Sequence, residues 1–229
     1  RPRGGPRLPR RAAGLPHAKG AWWSVEDGPA RFEAGATSVM YHMPDAQGRL
    51  QQLCAAPGVF TQVNLAANQR LVQEVLRLLA PRPGMKVLDL YCGMGNFALP
   101  IAAHGGQVTG VESGRRAIED AHYNAGAWRL ADQVTFSTEN MVTLLRRAMA
   151  AHTRWDAVVL DPPRASAKET APLLAEAAPE KIIYVSCEPT TLARDMKPLM
   201  ERGYGIREAL ALDMFPHTPH WETVVLLTK

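Results

Sequence analysis

The sequence is short of the features that define several protein classes. It has three cysteines in 229 residues, Cys54, Cys92 and Cys187, and none forms a CxxC pair. That argues against a disulfide scaffold and against a zinc or iron–sulfur site, and it suits a reducing, cytoplasmic setting. No apolar run approaches the roughly 18–20 residues of a membrane span, so no membrane association is expected. The opening residues carry no secretory signal pattern. Acidic side chains are missing from residues 1–20, where Arg1, Arg3, Arg7, Arg10, Arg11 and Lys19 sum to +6. The whole chain has a formal net charge of +4, so residues 21–229 are at −2 and the basic pI belongs to the tail. Pro, Gly and Arg without apolar periodicity predict disorder for 1–20, either a solvated end or an arm that touches RNA.

What is present is a regular alternation. Residues 21–60 read as irregular, with strand-like alternation in "ARFEAGATSVMYHMP" and a turn at "DAQGR", and are expected to be the remnant of a preceding or central domain. From 61 to 229 the chain reads as one α/β domain. "LAANQRLVQEVLRLL" has helical periodicity and ends at Pro81 and Pro83-Gly84. Short apolar runs follow at 86–91, 107–112, 133–138, 156–161 and 181–186, with helical segments near 96–104, 114–128, 140–151, 168–177 and 190–202. Two further strands, near 205–213 and 221–228, lack a helix between them. The pattern predicts a mostly parallel, seven-stranded sheet with helices on both faces and an antiparallel hairpin at one edge.

In such sheets ligands bind beyond the carboxyl ends of the strands. The first of the five runs ends in "LDLYCGMGNFALPIA", where Gly93 and Gly95 allow a tight turn and close backbone approach to a ligand; a plain structural turn and a dinucleotide site remain open. Glu112 ends the second, nineteen residues beyond Gly93, where a carboxylate can accept both hydroxyls of a ribose. Asp89 would repel a pyrophosphate but suits a cationic ligand, which favours S-adenosylmethionine over NAD. Asn140 is placed either to cap a helix or to touch an adenine. Asp161 opens "DPPR", a rigid loop in which Arg164 takes the place of the aromatic residue that amino-group methyltransferases use. Cys187 stands at the end of "KIIYVSC", just before a helix start that would favour a thiolate, so it reads as a buried inert cysteine or as a nucleophile. Glu222 opens the last strand, either as an exposed edge glutamate or as a carboxyl group that needs a partner or a raised pKa. Cys54 and Cys92 read as packing residues.

Together, "FTQVN" (60–64), "LDLYCGMGNFALPIA", "VE" (111–112), "DPPR" (161–164), "VSCEPTTLARD" (185–195) and "HWETVVLL" (220–227) resemble the S-adenosylmethionine-dependent RNA 5-methyluridine methyltransferases. The likeness covers residues 60–229 in the family's order and is greatest for the branch acting on 23S ribosomal RNA, with the tRNA branch as the near alternative. It implies a Rossmann-like class I methyltransferase fold, S-adenosyl-L-methionine as cofactor, RNA as partner and a cytoplasmic, monomeric enzyme. It further implies donor contacts from Gln62, Tyr91, Asn96, Glu112, Asn140 and Asp161, with Cys187 as nucleophile and Glu222 as base. Longer members carry an N-terminal RNA-binding barrel, and many have a four-cysteine iron–sulfur site. Neither pattern is in this sequence, so the N-terminal part of such a protein is expected to be missing.

The implied chemistry accounts for the residue set. Uracil C5 is a poor nucleophile until a thiolate adds at C6. Once C5 has taken a methyl group, its proton must leave before the thiol can be expelled, and that step needs a base. Arg164 and Arg194 are expected to contact phosphate. The competing readings are an NAD-dependent oxidoreductase, kept open by the Gly93–Ala98 turn, and a non-catalytic RNA-associated module.

Overall fold

A computed structural model describes residues 20–23, 31–35, 38–164, 167–218 and 221–229. The basic tail up to residue 19 lies outside them. The order is β1 (Gly20–Trp23), β2 (Arg31–Gly35), β3 (Val39–Pro44), β4 (Leu50–Ala55), α1 (Leu65–Leu79), β5 (Lys86–Leu90), α2 (Ala98–Ala103), β6 (Gln107–Glu112), α3 (Arg115–Ala127), β7 (Val134–Thr138), α4 (Met141–Ala150), β8 (Ala157–Leu160), α5 (Thr170–Ala177), β9 (Lys181–Ser186), α6 (Pro189–Glu201), β10 (Gly205–Leu212) and β11 (Glu222–Thr228). The pairs β1–β2 and β3–β4 form separate two-stranded antiparallel sheets.

The seven-stranded sheet runs β10-β11-β9-β8-β5-β6-β7. Strands β5 to β9 run parallel to one another, and β11 enters antiparallel between β9 and β10. This is the expected parallel sheet with an antiparallel edge pair. Because successive strand residues point to opposite faces, each central strand serves two cores. Val87, Val159, Ile183 and Val185 join one core with α1, α2 and α3, whereas Leu88, Leu90, Val158, Leu160, Ile182 and Tyr184 join the other with α4, α5 and α6. Double-sided burial explains why these strands are continuous apolar runs rather than alternating ones. The chain leaves β5 in one direction to β6 and β7 and returns on its other side to β8 and β9. The carboxyl end of β5 is therefore a switch point, where a crevice opens.

Helix α1 starts where Asn64 accepts a hydrogen bond from the Ala67 N–H (3.1 Å), and it stops where Ala80 turns left-handed at φ 49°. Its stripe of Leu71, Val72, Val75, Leu78 and Leu79 is buried against the sheet.

The region 39–55 is more ordered than the sequence suggests. The Asp45 carboxylate accepts from the Gln47 and Arg49 N–H groups (both 2.9 Å) and from the Arg49 and Gln51 side chains (2.9 and 3.0 Å), fixing the turn between β3 and β4. Strand β4 was not anticipated, because "LQQLCA" alternates too weakly to read as a strand. The hairpin packs Tyr41, Met43, Leu53 and Ala55 into the same core as α1 and α3. Asn124 of α3 accepts from the Cys54 N–H (2.9 Å) and donates to the Cys54 carbonyl (2.9 Å) and the Met94 carbonyl (3.2 Å), while Trp128 Nε1 donates to the Gln52 carbonyl (2.8 Å). Among the described residues no helix is long and apolar enough to cross a membrane.

Candidate active site

The carboxyl ends of β5, β6, β8 and β9 surround a cavity of about 780 Å³, closed on one side by residues 58–63. Its floor begins at the end of β5. Tyr91 takes a left-handed φ of 63°, an uncommon conformation for a side-chain-bearing residue, and its hydroxyl is 3.1 Å from Thr170 Oγ1. Gly93 (φ 54°) and Gly95 (φ 97°) complete the turn, and a Cβ at Gly95 would lie 3.0 Å from Leu99 Cγ. Backbone conformation therefore favours glycine at both positions, and at Gly95 close packing against Leu99 does so as well.

At the end of β6, Glu112 Oε1 accepts from the Gly114 N–H (2.8 Å) and from Ser113 Oγ (3.1 Å). These contacts hold the carboxylate against the cavity, where Ser113, Gly114 and Arg116 form the adjoining rim. Beyond β8 come Asp161, Pro162, Pro163 and Arg164, all in the lining. Cys187 follows β9. The β11–β9 register pairs Thr223 with Ser186, so the residue before Thr223 and the residue after Ser186 stand side by side. Antiparallel insertion of β11 thereby brings Glu222 to Cys187, although they are far apart in sequence.

Six of the expected residues thus line one cavity: Gln62, Tyr91, Glu112, Asp161, Cys187 and Glu222. Asn96 lies in a small adjoining recess of about 40 Å³, where Gln62, Tyr91 and Asp161 also face. Its side chain forms a reciprocal amide pair with Asn68 (2.8 and 3.0 Å). Asn140 is outside both linings. Its side chain caps α4, accepting from the Val142 and Thr143 N–H groups (3.0 and 3.3 Å). Arg164 is in the lining, whereas Arg194 is turned to Asp195 (3.0 and 2.9 Å).

The electrostatics are those of a desolvated acidic pocket. Burial pushes Asp161 up to about 7. Burial, and then the nearby Asp161 carboxyl, push Glu222 up to about 8. Glu222 is 3% exposed, and its Oε1 is buried with no hydrogen-bond partner among the described residues. Asp89, beneath the floor, is fully buried, and burial, followed by Asp161, raises it well above the carboxylate range, with the Ala98 N–H opposing the rise. The thiol of Cys187 differs from the expectation of a helix-stabilised thiolate. Burial and the Glu222 carboxyl raise it, while the Arg164 guanidinium, in the same cavity lining, pulls it down. Glu188 caps α6 with its own carboxyl group, accepting from the Thr190 N–H (3.3 Å), so the helix start already faces a negative group. Cys92 is buried, and burial raises its thiol strongly; it packs against the face of β6.

Several residues escaped the sequence reading. Arg116 and Phe215 line the cavity, and Thr170 holds the Tyr91 hydroxyl. Arg116 had a usable signal, since it sits four residues beyond a strand-end carboxylate on the first turn of the next helix. Thr170 had none, because its contact with Tyr91 spans 79 positions.

A family model described as tRNA (Uracil-5-)-methyltransferase matches residues 42–229. The 23S rRNA (uracil(1939)-C(5))-methyltransferase RlmD of Dechloromonas aromatica is 44% identical over 171 residues, which are 74% of this chain and 40% of that protein. The protein of the same name from Cronobacter sakazakii is 38% identical over 211 residues, 90% of this chain and 49% of that one. The chain therefore spans less than half the length of these curated relatives. Among solved structures, the Pyrococcus abyssi tRNA (uracil-54, C5)-methyltransferase in complex with S-adenosyl-L-homocysteine superposes with a TM-score of 0.77 at 30% identity, covering 98% of this chain and 54% of that one. The family match runs from within β3 to the end of β11 and takes in every candidate site residue, and on it the chain belongs to the tRNA (uracil-5-)-methyltransferase family.

Proposed function

We propose that this chain carries the catalytic unit of an RNA uracil-C5 methyltransferase that uses S-adenosyl-L-methionine and acts on 23S ribosomal RNA in the cytoplasm. The observation that carries the reading is the meeting of Cys187 and Glu222 at one end of a cavity whose other end is Glu112. The residues present suit the cofactor. One Glu112 oxygen is held by backbone and Ser113, leaving the other for ribose hydroxyls. Asp161 and Glu222 are two desolvated carboxyl groups whose mutual repulsion a cationic ligand would relieve. When bound, the cofactor supplies an electrophilic methyl group carried on a sulfonium.

In this reading the chain's own residues do the following. Cys187, deprotonated beside Arg164, adds to C6 of the uracil, and the electron pair moves to the C4 carbonyl oxygen as an enolate. C5, made nucleophilic in this way, would be the atom to accept the methyl group that the bound cofactor supplies. Glu222, ionised at that stage, accepts the C5 proton. The C5–C6 double bond re-forms and the bond from C6 to Cys187 sulfur breaks, returning the thiolate. Gln62, Tyr91 and Asp161 wall the cavity beside the reacting atoms.

The preference for 23S ribosomal RNA rests on curated relatives named for it at 38–44% identity. The transfer RNA alternative is favoured by the family description and by the Pyrococcus abyssi structure at 30% identity. Incubation with unmodified ribosomal and transfer RNA, followed by mass spectrometry of the nucleosides, separates them. 5-Methyluridine in 23S RNA alone is expected, and its appearance in transfer RNA alone would reverse the assignment. The roles of the two catalytic groups are tested on a denaturing gel. Glu222→Gln should accumulate methylated RNA covalently held at Cys187, and Cys187→Ala should form no adduct. Normal turnover by Glu222→Gln would remove it as the base.

A further inference from the structure

Asp195 lies on α6, outside the cavity lining, and is 2% exposed. Its Oδ2 accepts from the Ala167 N–H (2.8 Å) and from the Tyr184 hydroxyl (2.8 Å). Its Oδ1 accepts from Arg194 Nε (3.0 Å) and Nη2 (2.9 Å). The three partners belong to three different segments. Tyr184 is on β9, three residues before Cys187. Arg194 is on α6, the helix that follows Cys187. Ala167 is three residues beyond Arg164, in the loop that also carries Asp161.

The surroundings make this arrangement costly. Leu174, Leu192 and Leu199 belong to the same core as Tyr184. A carboxylate in such a place is often no more stabilising than apolar side chains of similar volume, and it is tolerated only when its acceptor sites are filled. What the carboxylate provides instead is position. One group ties the strand that ends in the thiol, the helix that follows it and the loop that presents Arg164 to it.

We propose that Asp195 is a positioning residue that clamps the loop after β8 to β9 and α6 and so holds the Arg164 guanidinium against the Cys187 thiol. The inference rests on the reading of Cys187 as the attacking thiol. The charged groups facing that thiol are Glu222 from β11 and Asp161 and Arg164 from the clamped loop. Glu188, on the turn of Cys187 itself, is engaged by Thr190. Of these, Arg164 is the one that favours the thiolate, so loosening the clamp should make the thiol less reactive. Simple loosening of the fold should do the opposite, by exposing it.

The test is peptide-resolved mass spectrometry of iodoacetamide alkylation of the whole chain at pH 8, which needs neither RNA nor cofactor. Cys54, in the β3–β4 hairpin and half-buried, serves as the internal reference. Asp195→Asn puts an amide where two donors converge and should slow alkylation of Cys187 by about threefold to tenfold, with Cys54 unchanged. Arg164→Ala should slow it to a similar extent, and the double variant should be no slower than Arg164→Ala alone. Tyr184→Phe keeps the ring in the core, removes one donor and should slow Cys187 less, in the same direction; it carries the test if Asp195→Asn does not fold. The proposal is overturned if Cys187 in the folded variants reacts as fast as in the parent or faster, or if the effects of Asp195→Asn and Arg164→Ala multiply. Because uridine methylation is assayed separately, either idea can fail while the other stands.

Discussion

Glu222 is held protonated at neutral pH by burial and by Asp161, and this has a measurable consequence for stability. Its pKa is about 8 in the folded chain against the ordinary 4.5. The sign follows from proton binding. Between those two values the unfolded chain has released the proton and the folded chain has kept it, so folding takes up a proton and weakens as pH rises. The contribution is complete below about pH 4.5 and is lost progressively as the pH climbs to 8. At about 1.4 kcal/mol per pKa unit, the shift corresponds to roughly 3–4 kcal/mol of stability lost between pH 5 and pH 8. Asp161, raised to about 7, acts in the same direction, and since the two carboxyl groups repel one another their losses belong to the pair rather than to either alone.

Glu222→Gln removes one titrating group and leaves the shape. The amide carries its own penalty, since Oε1 of Glu222 is without a partner among the described residues, but that penalty does not change with pH. Urea unfolding of both proteins at pH 5, 6, 7 and 8, followed by tryptophan fluorescence, should give curves that converge or cross: the variant loses about 2–4 kcal/mol less than the parent over this range. Parallel curves would show that Glu222 ionises as freely in the folded chain as in the unfolded one, and the account of a desolvated, proton-holding base would fall with them.

Two other substitutions probe the remaining links. Glu112→Ala should weaken S-adenosylmethionine or S-adenosylhomocysteine binding by about 1.5–3 kcal/mol, the worth of hydrogen bonds to a charged group, and unchanged affinity by calorimetry would take Glu112 out of the site. Asn124→Ala removes a donor–acceptor pair on Cys54 and a bond to the Met94 carbonyl. It should cost about 2–3 kcal/mol and raise amide exchange in residues 39–55 ahead of the central strands; equal protection in parent and variant would mean that apolar packing alone holds the hairpin.

Much of the fold was legible because the central strands are buried on both faces. Runs such as "AVVL" and "KIIYVS" announce themselves without help from their neighbours, and several helices are marked by an asparagine at the start (Asn64, Asn140) or by a proline or glycine just past the end (Pro81, Gly105, Gly203). The hairpin β3–β4 was harder because its order comes from outside it. Leu53 and Ala55 are buried by α1 and α3, and the Cys54 backbone is satisfied by Asn124, seventy positions away. No local pattern records such a dependence.

The same division runs through the site. Strand-end residues could be read from sequence because a parallel sheet sends every carboxyl end to one edge, so Tyr91, Glu112, Asp161 and Cys187 had to lie near one another once the strands were identified. Glu222 is the instructive exception. It begins its strand, and in a parallel strand it would have been at the opposite edge of the sheet. Only the antiparallel entry of β11 beside β9 turns a strand start into a neighbour of a strand end. The thiol's environment was misjudged for a related reason. Helix position suggested a stabilised thiolate, but Glu188 caps the helix, Glu222 faces the sulfur, and burial outweighs the helix start. What opposes them is Arg164, brought in by a loop from another strand. The surroundings of the Cys187 thiol thus come from three separate segments, and Asp195→Asn, outside the cavity lining, is expected to change its reactivity without altering any residue that lines the cavity.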